Sequence, residues 1–438
     1  MTTYLLERAL LPDGVHDDVH VEVVDGRFAA VEPGVLASAA ERLNGLTVPG
    51  LANTHSHAFH RALRGRTQRE RGSFWTWREQ MYAVAERLDP DTYLALATAT
   101  FREMVAAGIT CVGEFHYLHH RPDGRPYDDP NAMGLALIEA ARVAGLRITL
   151  LDTLYLSSGF GAPPEGAQVR YDDGSAEDWA ARVDGLAGSD SALVAGALHS
   201  VRALPSEPGA ALAPLAAWAD GRPLHVHLSE QVAENDGCRA AYGVTPTRLL
   251  ADHGLLGPMT SAVHATHLTV DDIALLGEAR AFASFCPTTE RDLGDGVGPS
   301  RALADAGARL TLGSDSHAVI DLFEEMRAVE LDERLVTQQR GHWQAAELLE
   351  AATTTGHASL GWDDAGAIAV GMRADLVTLD TASPRTAGTG ADEHTVVFAA
   401  GAADVTQTMV DGRIVFRQAE AGQVGRELAT AIGKVWEL

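Results

Sequence analysis

The chain holds a single lysine, Lys434, four residues from its C-terminus, and relies on arginine for the rest of its permanent positive charge. The first 433 residues therefore offer no lysine amine to any chemistry. Cysteine is nearly as scarce. Cys111, Cys238 and Cys286 are odd in number and widely spaced, which argues against a disulfide framework and fits reduced thiols in a cytoplasmic protein. No apolar run reaches the roughly 18 to 20 residues that span a bilayer. The start, Met1-Thr-Thr-Tyr-Leu-Leu-Glu-Arg8, lacks the basic and apolar regions of a signal peptide, so none is expected. Excess positive charge is missing too. A formal charge of −26 argues against nucleic-acid and anionic-membrane partners. An anionic substrate would need a local cluster of arginines to offset that field.

What is present is an alternation of strand and helix between two β-rich flanks. Near the start, Asp18–Val24 runs into Asp25-Gly26, a hairpin-type turn. Near the end, Ala374–Asp380, Thr395–Ala399 and Val405–Val410 read as strands, with Asp411-Gly412 as a second hairpin turn. Between the flanks, candidate strands end near His57, Glu114, Tyr155, His199, His227, His264, Cys286 and Asp315. Helical patterns such as Asp91–Val105 and Leu322–Leu331 intervene. Repeated β-then-α units imply parallel strands, and eight of them suit a (β/α)8 barrel. An open doubly wound sheet would more often show G-x-G-x-x-G after a strand, and none is found there. The expected architecture is a barrel over residues 49–365 with a small β-sandwich domain built from both chain ends, 1–48 and 366–438, the latter with a terminal helix. The Gly/Pro-rich stretch Gly159–Ser175 reads as a long loop over one mouth of the barrel.

Polar residues gather where a barrel carries its chemistry, at the C-terminal ends of the strands. His55 and His57 stand two apart, so one strand face presents both. With 18 histidines in 438 residues, that pair alone is a chance-level event. Its weight comes from Glu114, His199, Arg202, His225, His227, Glu230, His264 and Asp315 at corresponding positions. His55, His57, His227 and Asp315 suit one divalent metal ion, because three imidazoles and a carboxylate leave it a net charge near +1 and room for water. His225 shares the face of His227. His227 is favoured because it stands nearer the strand end and Glu230. Zinc is the default ion for such a set, with iron or manganese as alternatives.

This pattern, His-x-His, then His with Glu three residues on, a later His and a final Ser-Asp, resembles the mononuclear deaminase branch of the amidohydrolase superfamily. Binuclear members bridge two metals with a carboxylated lysine on the fourth strand, and this chain has no lysine there. Longer segments, Phe74–Arg78, Glu114–His120, His199–Arg202, Glu230-Gln231, Cys286–Glu290 and Leu293–Gly296, are similar to the formimidoylglutamate deiminase family. The resemblance implies hydrolysis of N-formimino-L-glutamate to N-formyl-L-glutamate and ammonia in histidine degradation, in the cytoplasm, on a small dianionic substrate. Glu230, His264 and Asp315 would be catalytic. Tyr117, His199, Arg202, Arg78 and His60 would bind substrate. The family pattern has glutamine after His-Ser-His-Ala-Phe, where this chain has His60. Barrels of this kind often form homodimers.

Competing expectations are a deaminase of guanine, cytosine or an adenosine derivative, and a metal-free scaffold on the same fold. At single residues there are plainer readings as well. Arg202 could pair with a loop carboxylate, Arg78 with Glu79 or Glu70, Trp75 and Trp77 could simply pack, and Cys286 reads as inert core.

Overall fold

The structure is a computed structural model that describes residues 1–35, 40–68 and 74–437. Eight parallel strands follow one another around a barrel: β1 (Leu51–Ser56), β2 (Ile109–His116), β3 (Arg147–Leu154), β4 (Ala192–Leu198), β5 (Leu224–Leu228), β6 (Thr260–His264), β7 (Phe282–Phe285) and β8 (Arg309–Leu312). The ring closes just beyond β8. Asp315 N donates to His55 O at 2.9 Å and His57 N donates to Asp315 O at 3.2 Å, bridging Ser56 and Asp315 in parallel register. Strands β1 and β2 are buried along their whole length, as expected where helices cover the outside and side chains fill the inside. The eight expected strand ends all lie within three residues of the observed ones.

The helices begin where local chemistry permits. Pro90–Ala106 starts on Asp89, whose carboxylate accepts from Thr92 N while Thr92 Oγ1 accepts from Asp89 N, with proline at the first helical position. Leu322–Thr337 starts on Asp321, whose carboxylate accepts from Phe323 N and Glu324 N. The segment expected as a strand at Thr395–Ala399 is instead part of the helix Glu393–Phe398. Its run Thr-Val-Val-Phe has strand-like composition. Asp392, however, accepts from the backbone of His394 and Thr395 and so nucleates a helical turn that packs on Ala345–Ala352 and Leu322–Thr337. Capping decided against propensity.

Both chain ends build one seven-stranded sheet beside the barrel, in the order 413–417, 405–410, 376–379, 41–49, 2–11, 14–24, 27–33. Leu376–Leu379 pairs antiparallel with Leu46–Pro49, which is where the two ends meet. Both expected hairpin turns form with two left-handed residues each, Asp25 (φ 49°) and Gly26 (φ 77°), Asp411 (φ 46°) and Gly412 (φ 73°). At Gly412 a Cβ would lie 2.4 Å from Val23, so glycine is required for space as well as for φ. Leu6, Val19, Val21, Phe28, Leu43 and Leu376 form the sheet's own apolar core.

Barrel and sheet are tied by a buried ion cluster. Arg147, at the start of β3, reaches Asp375 through Nη1 at 2.6 Å and Nη2 at 3.0 Å, and Asp411 through Nη2 at 2.9 Å. The C-terminal helix Ala421–Glu437 lies against Pro90–Ala106, and its Trp436 Nε1 donates to Ala62 O at 3.0 Å, steadying the turn after β1. Among the described residues no helix is long and apolar enough to cross a membrane.

Candidate active site

At the end of β1, Ser56 points away from the face shared by His55 and His57. Its Oγ donates to Glu114 Oε2 on β2 at 2.5 Å, and Glu114 Oε1 accepts Ala58 N at 2.6 Å. Glu114 thereby pins the backbone on both sides of His57. Burial pushes its carboxyl up to about 8, against these two hydrogen bonds. Across the barrel, β5 turns His227 toward His55. The turn after β8 brings in Asp315 in a left-handed conformation (φ 41°), and His264 ends β6 in another (φ 68°). Non-glycine residues rarely adopt this region, and such strain concentrates at functional sites.

His55, His57, His227 and Asp315 each turn one donor atom into a space where all four lie within 4.8 Å of one another. Asp315 Oδ1 is 3.3 Å from both His55 Nε2 and His57 Nε2, and His227 Nε2 is 3.1 Å from His55 Nε2. His57 Nδ1 donates to Phe115 O at 3.0 Å, and His227 Nδ1 donates to His199 O at 2.7 Å. Neutral rings held this way carry a lone pair on Nε2. Those lone pairs face one another and a carboxylate, a mutually repulsive set that one cation at its centre converts into a ligand shell. Protonation is opposed at all three rings. Burial lowers His55 to about 3 and also lowers His57 and His227. Burial works to raise the Asp315 carboxyl, but it is held well below the usual carboxylate range, with the charged His264 3.8 Å away among the causes. Four oriented, deprotonated donors suit one divalent ion. His225 takes no part, its Nε2 lying 3.3 Å from Ser359 O. A second buried grouping, His116, His119 and Asp152, is not equivalent, because Arg182 already holds both Asp152 oxygens, at 2.8 and 3.0 Å.

Next to the donor set, a cavity opens at the C-terminal mouth of the barrel, the end at which such barrels carry their chemistry. His57, His60, Arg78, Tyr117, His199, Arg202, His227, Glu230, His264 and Asp315 all line it. Every residue given a metal-binding, catalytic or substrate-binding role from the sequence is therefore in the cavity wall except His55, whose Nε2 lies 3.1 Å from His227 Nε2. His264 is ringed by carboxylates: Nδ1 is 3.3 Å from Glu290, and Nε2 is 3.8 Å from Asp315 and 3.9 Å from Glu230. Burial opposes its charge, but the three acids push its pKa up to about 10. Arg202 Nη2 donates to Glu230 Oε2 at 3.3 Å, so the plainer reading of that arginine, pairing with a carboxylate, also holds. Arg78 Nε donates to Tyr82 Oη at 2.6 Å. Oriented with its oxygen inward, the Gln168 amide accepts from Arg78 Nη2 at 3.0 Å and Tyr155 Oη at 2.7 Å. His60 Nε2 is 3.1 Å from Tyr117 Oη. Glu70 and the side chain of Trp75 lie outside the described residues. Cys286 is fully buried, and burial pushes its thiol far up, as an inert core residue requires.

An amidohydrolase-family model matches residues 46–415. The chain belongs to the amidohydrolase family. Ahead of that match, residues 2–45 match the N-terminal domain of formimidoylglutamate deiminase HutF. This amidohydrolase is 38% identical to formimidoylglutamate deiminase of Pseudomonas aeruginosa over 95% of each chain. The crystal structure of an amidohydrolase from Brucella melitensis superimposes with a TM-score of 0.91 at 32% identity, over 100% of both chains. An adenosine deaminase from Xanthomonas campestris with bound zinc shares the fold at 23% identity and a TM-score of 0.85, covering 100% of this chain and 99% of that one.

Several site residues had no role in the sequence reading. Glu290 and Glu114 fall inside quoted segments, but nothing in their spacing marks one as the partner of His264 and the other as the support of His57. Gln168 and Tyr171 come from the stretch Gly159–Ser175, which was expected over the mouth but whose inward residues have no period to reveal them, and Tyr155 was read only as a strand end.

Proposed function

We propose that this chain hydrolyses N-formimino-L-glutamate to N-formyl-L-glutamate and ammonia, a step of histidine degradation. The observation that carries the reading is one cavity lined both by donors of a four-residue ion site and by two arginines, Arg202 and Arg78. A protonated formamidine attached to two carboxylates calls for that arrangement. A flat, uncharged heterocycle does not. The 38% identity to a curated deiminase supports it independently.

A divalent cation, zinc as first choice, gripped by His55, His57, His227 and Asp315 supplies the Lewis acidity that makes water nucleophilic near neutral pH. The chain's own groups do the rest. Arg202 and Arg78, helped by Tyr117, His199 and His60, hold the two carboxylates and fix the formimino carbon in the cavity. Glu230 pairs with the amidinium nitrogens. Asp315 Oδ2, 3.8 Å from His264 Nε2, takes the proton lost by the attacking water. His264, its Nδ1 directed by Glu290, turns Nε2–H toward the charge that develops at the carbon. A carbon–oxygen bond forms, the Glu230 carboxylate takes the proton of the added hydroxyl and passes it to the terminal nitrogen, the C–N bond breaks as the carbonyl forms, ammonia leaves, and the proton held by Asp315 is released to solvent.

The deciding experiment is ammonia release from formiminoglutamate set against guanine, cytosine and adenosine derivatives. Selective turnover of formiminoglutamate is expected. Turnover of a purine or pyrimidine with none of formiminoglutamate would sink the reading.

A further inference from the structure

Glu234 plays no part in the mechanism above, yet it is only 2% exposed and sits at the back of the site. It lies in the first turn of the helix Val232–Tyr242, where Oε1 accepts Ser229 N at 3.1 Å. Its Oε2 stands 3.5 Å from Arg202 Nε and has no hydrogen-bond partner among the described residues. Arg202 thus faces two carboxylates at once, Glu234 on its Nε side and Glu230 on Nη2, with Ser200 Oγ also 3.1 Å from Nε. One guanidinium shared between two acids neutralises neither fully. Burial accordingly pushes the Glu234 carboxyl up to about 7 despite Arg202.

In the substrate-free site Arg202 is the ion-pair partner of Glu230. In the deimination reading, on which this inference rests, Arg202 binds a substrate carboxylate while Glu230 turns to the amidinium. The guanidinium must change partners without leaving its place. We propose that Glu234 is the positioning residue that makes this exchange work, holding Arg202 by its Nε edge while Nη2 passes from Glu230 to the substrate carboxylate. Without that anchor Arg202 settles on Glu230 in a two-point pair, and the incoming carboxylate must compete for it.

The test is Glu234→Gln in the metal-loaded enzyme, followed by steady-state kinetics on formiminoglutamate and by calorimetric binding of N-formyl-L-glutamate. KM and the product Kd should both rise about tenfold, as the loss of a buried charge 3.5 Å from the guanidinium implies. The value of kcat should stay within about threefold, since the chemical step is untouched. Glu234→Asp, which keeps the charge but retracts it, should show the same split at smaller size, and it carries the test alone if Glu234→Gln does not fold. An unchanged KM and Kd, or a loss confined to kcat, would overturn the proposal while wild-type enzyme remains active. Wild-type enzyme inactive on formiminoglutamate would instead overturn the functional reading and this inference with it.

Discussion

Arg202 and Glu230 are joined by a 3.3 Å charge-assisted hydrogen bond in the cavity wall. The group proposed to bind the substrate's negative charge therefore holds the group proposed to move its protons. Replacing Arg202 by methionine separates these duties. KM for formiminoglutamate should rise about 30-fold or more, the cost of removing one partner of a buried charge pair. Formamidine, which has the amidine but no carboxylates, should lose nothing. Equal losses on both substrates would place Arg202 in the chemistry rather than in binding.

Glu230→Gln keeps the shape of the side chain and removes its proton traffic. We expect kcat to fall about 10²- to 10⁴-fold, the usual range for a general acid–base group. Metal content, measured by atomic absorption, should match wild type because Glu230 is not among the four donors. Activity near the wild-type level would remove Glu230 from proton transfer.

The convergent lone pairs of His57 and His227 predict that the ion stabilises the fold as well as the reaction. Chelation should abolish turnover and lower the melting temperature, and stoichiometric zinc should restore both, since a ligand bound only by the native state adds stability. His227→Ala should lose the zinc-dependent part of the melting temperature. A melting curve indifferent to chelator would mean that these four side chains hold no ion.

The Arg147–Asp375 pair, both side chains fully buried, predicts a pH-dependent stability. Burial works to raise the Asp375 pKa, but Arg147 holds it below its ordinary value. A depressed carboxylate contributes stability that is present above the unfolded pKa, about 4 for aspartate, and is lost as pH falls through the folded value. Thermal unfolding between pH 7 and pH 3 should therefore show a steeper acid loss for wild type than for Asp375→Asn. The variant itself should be about 3 kcal/mol less stable at pH 7, because it breaks a buried ion pair and leaves Arg147 only Asp411 as a charged partner. Parallel curves for the two proteins would contradict this.

Much of the architecture was legible in the chain order. Strand ends could be located because a polar, chemistry-bearing residue follows each short apolar run, and β1 through β8 fall within three residues of those positions. The strand expected at Thr395–Ala399 was not legible, since two valines and a phenylalanine look alike in a strand and in a short buried helix. There the cap at Asp392 carried the information. The candidate site divides in the same way. His55 and His57 sit on one face by the two-residue period of a strand, which needs no tertiary knowledge.

The choice of His227 over His225 depended on which ring the barrel turns toward His55, and that is a property of its closure. Glu114, Glu290 and Glu234 support His57, His264 and Arg202 from other segments of the chain. Residue types, their order and their spacing along single strands were sufficient to expect the barrel and to nominate a small set of candidate ion donors, because those follow from backbone period and ligand chemistry. Which acids stand behind those donors, and that Arg202 is shared between Glu230 and Glu234, was decided only by folding. Distances between strands are set by packing around the whole ring, and no local pattern in the sequence records them.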